Sequence, residues 1–209
     1  PALVSGETQG ITRADTDMSR WHYFLTQISV LVTYLRLLLA PIGQSLDYSY
    51  PVTTVFWNLK TVACFLLLAS LAVGAFWIRK KNRLITFGFF WFLIALSVES
   101  SVIPIRDVIF EHRLYLPMAG FVMVVIGMMR LLLKDAGRTL ILCSVLAVVW
   151  GALAYRRNFV WRDPISLWSD VVKKFPDNAR AYNNLSNAYF NEGDLDAALA
   201  HIRRSLELD

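Results

Sequence analysis

The sequence predicts an all-α protein: polytopic membrane helices, about four spans plus one interfacial or re-entrant helix, followed by hydrophilic helical hairpins. Three observations lead there. Hydrophobic residues fill 56% of the 209 positions, against about 45–50% in a typical soluble domain. The excess is gathered in long uncharged runs, the mark of a membrane span. After residue 157 the chain turns polar, and its apolar residues recur at helical spacing. The expected divisions are an external loop over 1–21, a transmembrane domain over 22–157, and a linker helix with the first repeat over 158–209. The chain opens at Pro1 without a signal-peptide pattern, and is read as a segment of a longer protein.

The first clear span is 61–78, free of charge and preceded by Trp57 at the interface. Arg79-Lys80-Lys81-Asn82-Arg83 closes it. A second span begins at residue 84, is interrupted by Glu99 and finishes near Ile105. The third covers 114–133, with Arg130 able to snorkel. The fourth covers 139–155 and ends at Arg156-Arg157. The short basic turns at 79–83 and 130–138 belong on the cytoplasmic side by the positive-inside rule. That places 41–52, 99–113 and everything after 156 on the opposite side, with Arg156 and Arg157 as a mild violation. Residues 22–40 are apolar but diluted by Gln27, Thr33 and Arg36. A central arginine is costly in a span, so the segment is expected to be an interfacial or re-entrant helix on the external side, ending at Pro41, with a fifth span as the alternative.

The net charge of +5 does not point to nucleic acid, because the bases sit beside apolar runs and form no continuous face. Cys64 and Cys143 lie inside apolar runs and offer no metal-ligand spacing.

In the polar part, Asp163-Pro164 reads as a helix cap followed by proline at the first helical position. That helix is expected to run to about Phe175. Helices over 179–191 and 195–208 follow, joined at Gly193-Asp194. Residues 179–209 resemble the tetratricopeptide repeat, with Tyr182, Leu185, Ser186, Tyr189, Gly193, Ala198, Ile202 and Ser205 at its key places. Tyr182, Leu185 and Tyr189 fill the gap between paired helices, Ala198 lets them approach, and Gly193 takes the turn. One repeat cannot bury its own face, so more are expected beyond Asp209. Such arrays bind polypeptides.

Chemistry is expected in 99–117, which gathers Glu99, Arg106, Asp107, Glu111, His112 and Arg113 at a membrane boundary. An arginine there can grip a lipid phosphate bidentately, with Glu111 or Asp107 orienting it. The alternative is an ordinary solvated loop. Glu111-His112-Arg113-Leu114-Tyr115-Leu116-Pro117 resembles the E-x-R-x-Y-L-P segment of GT-C membrane glycosyltransferases. It is nearest the transmembrane O-mannosyltransferase-like family with C-terminal tetratricopeptide repeats. Pro41, Leu46-Asp47-Tyr48 and Tyr50-Pro51 are similar to a P-x-x-L-x-D-Y stretch of that family. Trp161-Arg162-Asp163 with Leu167-Trp168 resembles its linker into the repeats.

The resemblance implies sugar transfer from a polyprenyl-phosphate donor to a protein hydroxyl on the non-cytoplasmic face, from an inner or plasma membrane in a bacterium. It implies donor-phosphate binding by Arg113, with His112, Glu111 and Arg106 nearby. A divalent cation is an optional companion of the phosphate. The implied partners are the bilayer, the lipid-linked sugar and a polypeptide bound by the repeats. The family's acidic catalytic residue lies in an N-terminal loop that these residues do not include. A non-catalytic membrane scaffold carrying the repeats, and a polymer ligase or flippase, remain open.

Overall fold

The computed structural model describes residues 18–97, 100, 105 and 107–208. Among them every regular element is helical: α1 (Arg20–Leu39), α2 (Leu59–Ile78), α3 (Arg83–Ser97), a 3₁₀ turn (Glu111–Leu114), α4 (Tyr115–Leu133), α5 (Ala136–Asn158), α6 (Pro164–Lys174), α7 (Ala179–Asn191) and α8 (Leu195–Leu208). Of the expected loop over 1–21, residues 1–17 lie outside the described residues, as do Glu99 and Arg106, while Arg20 and Trp21 already belong to α1.

Among the described residues, four helices are long and apolar enough to cross a membrane: α1, α2, α4 with its preceding turn, and α5. The segment expected to span from residue 84 to near Ile105 forms α3 from Arg83 to Ser97, 15 residues, and most of its remainder lies outside the described residues. Helix α1 is one of those four, and the polar residues that dilute it each form a hydrogen bond within the protein. Gln27 Nε2 donates to the Val108 carbonyl at 3.0 Å, Thr33 Oγ1 lies 3.1 Å from the Tyr50 hydroxyl, and Arg36 Nη1 donates to the Ile42 carbonyl at 2.9 Å. The face of α1 that carries Gln27 also buries Tyr23, Val30, Tyr34 and Leu37, in one cluster with Phe92, Leu96, Leu114 and Phe121. That cluster is the core of the membrane-embedded part.

Helices α3 and α4 pack through glycines. A Cβ at Gly88 would stand 2.5 Å from the Gly120 carbonyl oxygen, so the two backbones touch there as small-residue membrane interfaces allow. In contrast, α2 buries only Thr61 and Ala75. It is bracketed by Trp57 and Trp77, exposed by 83% and 80%. α5 buries only Thr139. Such open apolar faces are lipid-facing in a membrane protein.

The polar helices start at side-chain caps. Asp163 accepts from the Ser166 amide at 2.7 Å and Asn178 from the Ala181 amide at 3.0 Å. The hydrogen bonds from Ser166 hold the Asp163 carboxyl below its usual range. Between α7 and α8, Ser186 Oγ donates to the Ala198 carbonyl at 2.8 Å, and Leu185 and Ala198 are buried. The His201 ring stacks on Tyr189 at 5.3 Å and lies 6.0 Å from Tyr182. Gly193 turns the chain with φ +84° and open space around it. Gly193→Ala is therefore expected to cost about 1 kcal/mol from backbone strain alone, read as a lowered unfolding midpoint of the α7–α8 hairpin.

Candidate functional site

One end of the helical bundle collects the α1–α2 connection, the 3₁₀ turn, the C-terminus of α5 and the docked helices α6 and α7. The order of polar and apolar residues in 41–51 explains the first part. Proline at 41 ends α1, Gly43 bends the chain at φ +72°, and Ser45 and Asp47 turn inward and are buried. Tyr34 pins the turn from inside: its hydroxyl accepts from the Phe110 amide at 3.0 Å and donates to the Phe110 carbonyl at 3.1 Å.

Glu111 is the hub of the connection. Its Oε1 accepts from the Ser45 amide at 2.6 Å and from the Tyr48 hydroxyl in a very short bond. Burial, then the Glu111 carboxylate, pushes the Tyr48 phenol well above its ordinary value, so it stays protonated and donates. His112 is exposed and its ring lies 4.9 Å from that of Phe110. Arg113 Nη2 donates to the Asp107 carbonyl at 3.1 Å, and its guanidinium lies 5.3 Å from the Phe110 ring. The Asp107 carboxylate goes elsewhere, to Arg180 Nη2 at 2.6 Å.

Beside this hub runs a cleft of about 680 Å³. Leu37 and Leu38 of α1, Met118 and Phe121 of α4, and Trp150 of α5 form its apolar wall. Glu111, His112 and Arg157 are the charged or ionisable residues that line it. Arg113 is not among the lining residues, and Arg106 lies outside the described residues. Of the residues that the sequence singled out, Glu111 and His112 line the cleft.

Arg157 was legible only as a charge at the end of a span. In the structure Arg157 Nη1 donates to Asp170 Oδ2 at 2.6 Å, and Lys174 Nζ reaches the same oxygen at 2.7 Å. Burial raises the Asp170 carboxyl, but the bonds from Lys174 and Arg157 outweigh it and leave the group below its usual range. Lys174 also donates to the Gln44 carbonyl. Helix α6 is thereby fastened to the cleft's rim on both sides.

Helix α7 is fastened through Asp47. Asn178 Nδ2 donates to Asp47 Oδ2 at 3.1 Å and Arg180 Nε at 2.7 Å. Among the described residues no group of three or more His, Cys, Asp or Glu side chains could hold a metal.

The tetratricopeptide repeat family matches residues 179–209. Protein O-mannosyl-transferase TMTC1 of Mus musculus is 27% identical over 88% of this chain, which covers 21% of that relative. Protein O-mannosyl-transferase F38B6.6 of Caenorhabditis elegans is 23% identical over 91% of the chain, covering 28% of its own length. The chain therefore spans only a fifth to a little over a quarter of these relatives. No solved structure matches it.

Proposed function

We propose that this chain, which matches the transmembrane O-mannosyltransferase-like family with tetratricopeptide repeats, is the C-terminal part of a membrane glycosyltransferase. It moves a sugar from a polyprenyl-phosphate donor to a protein hydroxyl on the non-cytoplasmic face. The observation that carries the reading is the cleft: apolar walls between helices of membrane-spanning length, a charged rim, and helical repeats docked at that same rim. An apolar trough suits an isoprenoid chain, and a few convergent polar groups orient its head. A repeat array beside the rim suits a polypeptide acceptor.

Glu111 serves in this reading as a positioning residue. Its Oε1 is occupied by Ser45 and Tyr48, so it holds the 41–48 connection against the 3₁₀ turn. The general base belongs to a part of the protein beyond these residues. His112, exposed at the rim, is placed to meet the sugar or the acceptor.

The test uses the full-length protein in liposomes with a polyprenyl-phosphate sugar and a Ser/Thr-rich acceptor. Transfer is expected in the wild type. Glu111→Ala is expected to lower kcat/KM about tenfold or more by releasing the connection, and Glu111→Gln, which can still accept from both donors, is expected to recover much of it. A wild type that transfers no sugar and co-purifies stoichiometrically with a larger membrane complex would establish the scaffold role instead.

A further inference from the structure

We propose that the Arg157 guanidinium is the anion grip of the cleft, holding the phosphate of a lipid whose hydrocarbon chain lies along the wall formed by Leu37, Leu38, Met118, Phe121 and Trp150. This inference rests on the lipid-linked-donor reading above and names the residue that holds the head group.

The argument begins with which nitrogens of Arg157 are used. Nη1 is committed to Asp170 at 2.6 Å. Nε and Nη2 are buried and have no hydrogen-bond partner among the described residues. Those two nitrogens share one edge of the planar guanidinium, and their N–H bonds point the same way. That edge is the fork that matches two oxygens of a phosphate. Buried charged donors left unmade are costly, so an acceptor belongs there. The bond from Arg157 to Asp170 uses Oδ2, which Lys174 shares, and Glu111 Oε1 is taken by Ser45 and Tyr48. Asp170 also restrains the guanidinium through Nη1, and Arg157 lines the cleft.

The apolar wall decides the class of anion. Inorganic phosphate would satisfy the fork and leave the wall in water. An uncharged polyprenol would cover the wall and leave the fork unpaired. A polyprenyl phosphate does both. Arg157 is the last but one residue of α5, the depth at which a lipid head group meets a spanning helix. An arginine at a helix C-terminus is also favoured by the helix dipole.

The experiment titrates the full-length protein in detergent micelles with a fluorescent short-chain polyprenyl phosphate. Uncharged polyprenol and inorganic phosphate serve as competitors. The wild type is expected to bind the lipid phosphate and to yield it to neither competitor at comparable concentration. Arg157→Ala and Arg157→Lys are each expected to weaken binding by about ten- to a hundredfold, since lysine keeps the charge but not the fork. Arg156→Ala, at an exposed neighbour, removes the same charge and is expected to change binding less than about threefold. Asp170 keeps Lys174 in every variant, and matching helical circular dichroism and thermal midpoints establish that each is folded. Equal loss in the Arg156 and Arg157 variants, or wild-type binding by Arg157→Lys, would overturn the grip. Full competition by inorganic phosphate would overturn the lipid assignment. Sugar transfer with unaltered donor KM in the Arg157 variants sinks this inference and leaves the transferase reading standing. Arg157-dependent lipid-phosphate binding without any sugar transfer does the reverse.

Discussion

Gly88→Val and Gly120→Val are each expected to lower the thermal midpoint of the membrane-embedded part more than any other single change at a glycine. A Cβ at Gly88 would lie 2.5 Å from the Gly120 carbonyl oxygen and 2.9 Å from Met123 Cβ. A Cβ at Gly120 would meet the Gly88 carbonyl oxygen and stand 2.8 Å from the Phe92 amide nitrogen. These obstacles are mostly backbone, which cannot rotate aside as a side chain can. The helices must separate, and overpacking of this kind costs about 1–3 kcal/mol or more. Separation would also loosen Phe92 and Leu96 from Tyr34 and Leu114 in the core. Because α4 begins where the 3₁₀ turn ends, the shift carries Glu111 with it, and donor binding is expected to fall together with stability. Gly74→Val and Gly151→Val are the controls, since a Cβ at either position meets nothing within 4 Å. Equal losses in all four variants would show that the α3–α4 approach is not the cause.

Arg180→Glu is expected to release α6–α8 from the helices of the membrane part. Asp47 is almost wholly buried, with 6% of its side chain exposed. Arg180 reaches it and Asp107 together, and the pairing with Asp47 holds the guanidinium well above its ordinary pKa. Removing the arginine leaves a buried carboxylate with only the Asn178 amide among the described residues. Breaking a buried pair costs about 3–5 kcal/mol. Arg180 is 40% exposed, so solvent screening brings the expected loss toward about 2 kcal/mol. The reversed charge adds a third carboxylate to the two already there. Hydrogen exchange across α7 and proteolysis in the 159–163 connection should both accelerate, while α2 and α4 keep their protection. Unchanged exchange in α7 would mean that Lys174 and Arg157 hold the repeats without help from Asp47.

The parts of the fold that repeat locally were legible. Uncharged runs marked α2, α4 and α5, and caps with helical spacing marked α6, α7 and α8 within a residue or two of their ends. What was not legible depends on partners far along the chain. Gln27 looks like a diluted span until Val108, 81 residues on, supplies its acceptor. Asp47 belongs to a short recognisable stretch, but nothing local says that Arg180 will meet it. Glu111 and His112 were found because their segment is distinctive. Arg157 was passed over because counting bases for topology treats an arginine as a charge, whereas its importance lies in which edge of the guanidinium is already taken.

The tryptophans at the two ends of α2 carry a consequence for the choice of membrane. The whole of α2, Trp77 included, runs 20 residues, roughly 30 Å at 1.5 Å per residue. That length matches an average hydrocarbon core of about 30 Å, and in a bilayer of about 27 Å the helix must lean by about 25°. With only Thr61 and Ala75 buried, α2 can lean without dragging the core along. Hydrophobic mismatch at α2 is then absorbed by a helix that lines no part of the cleft.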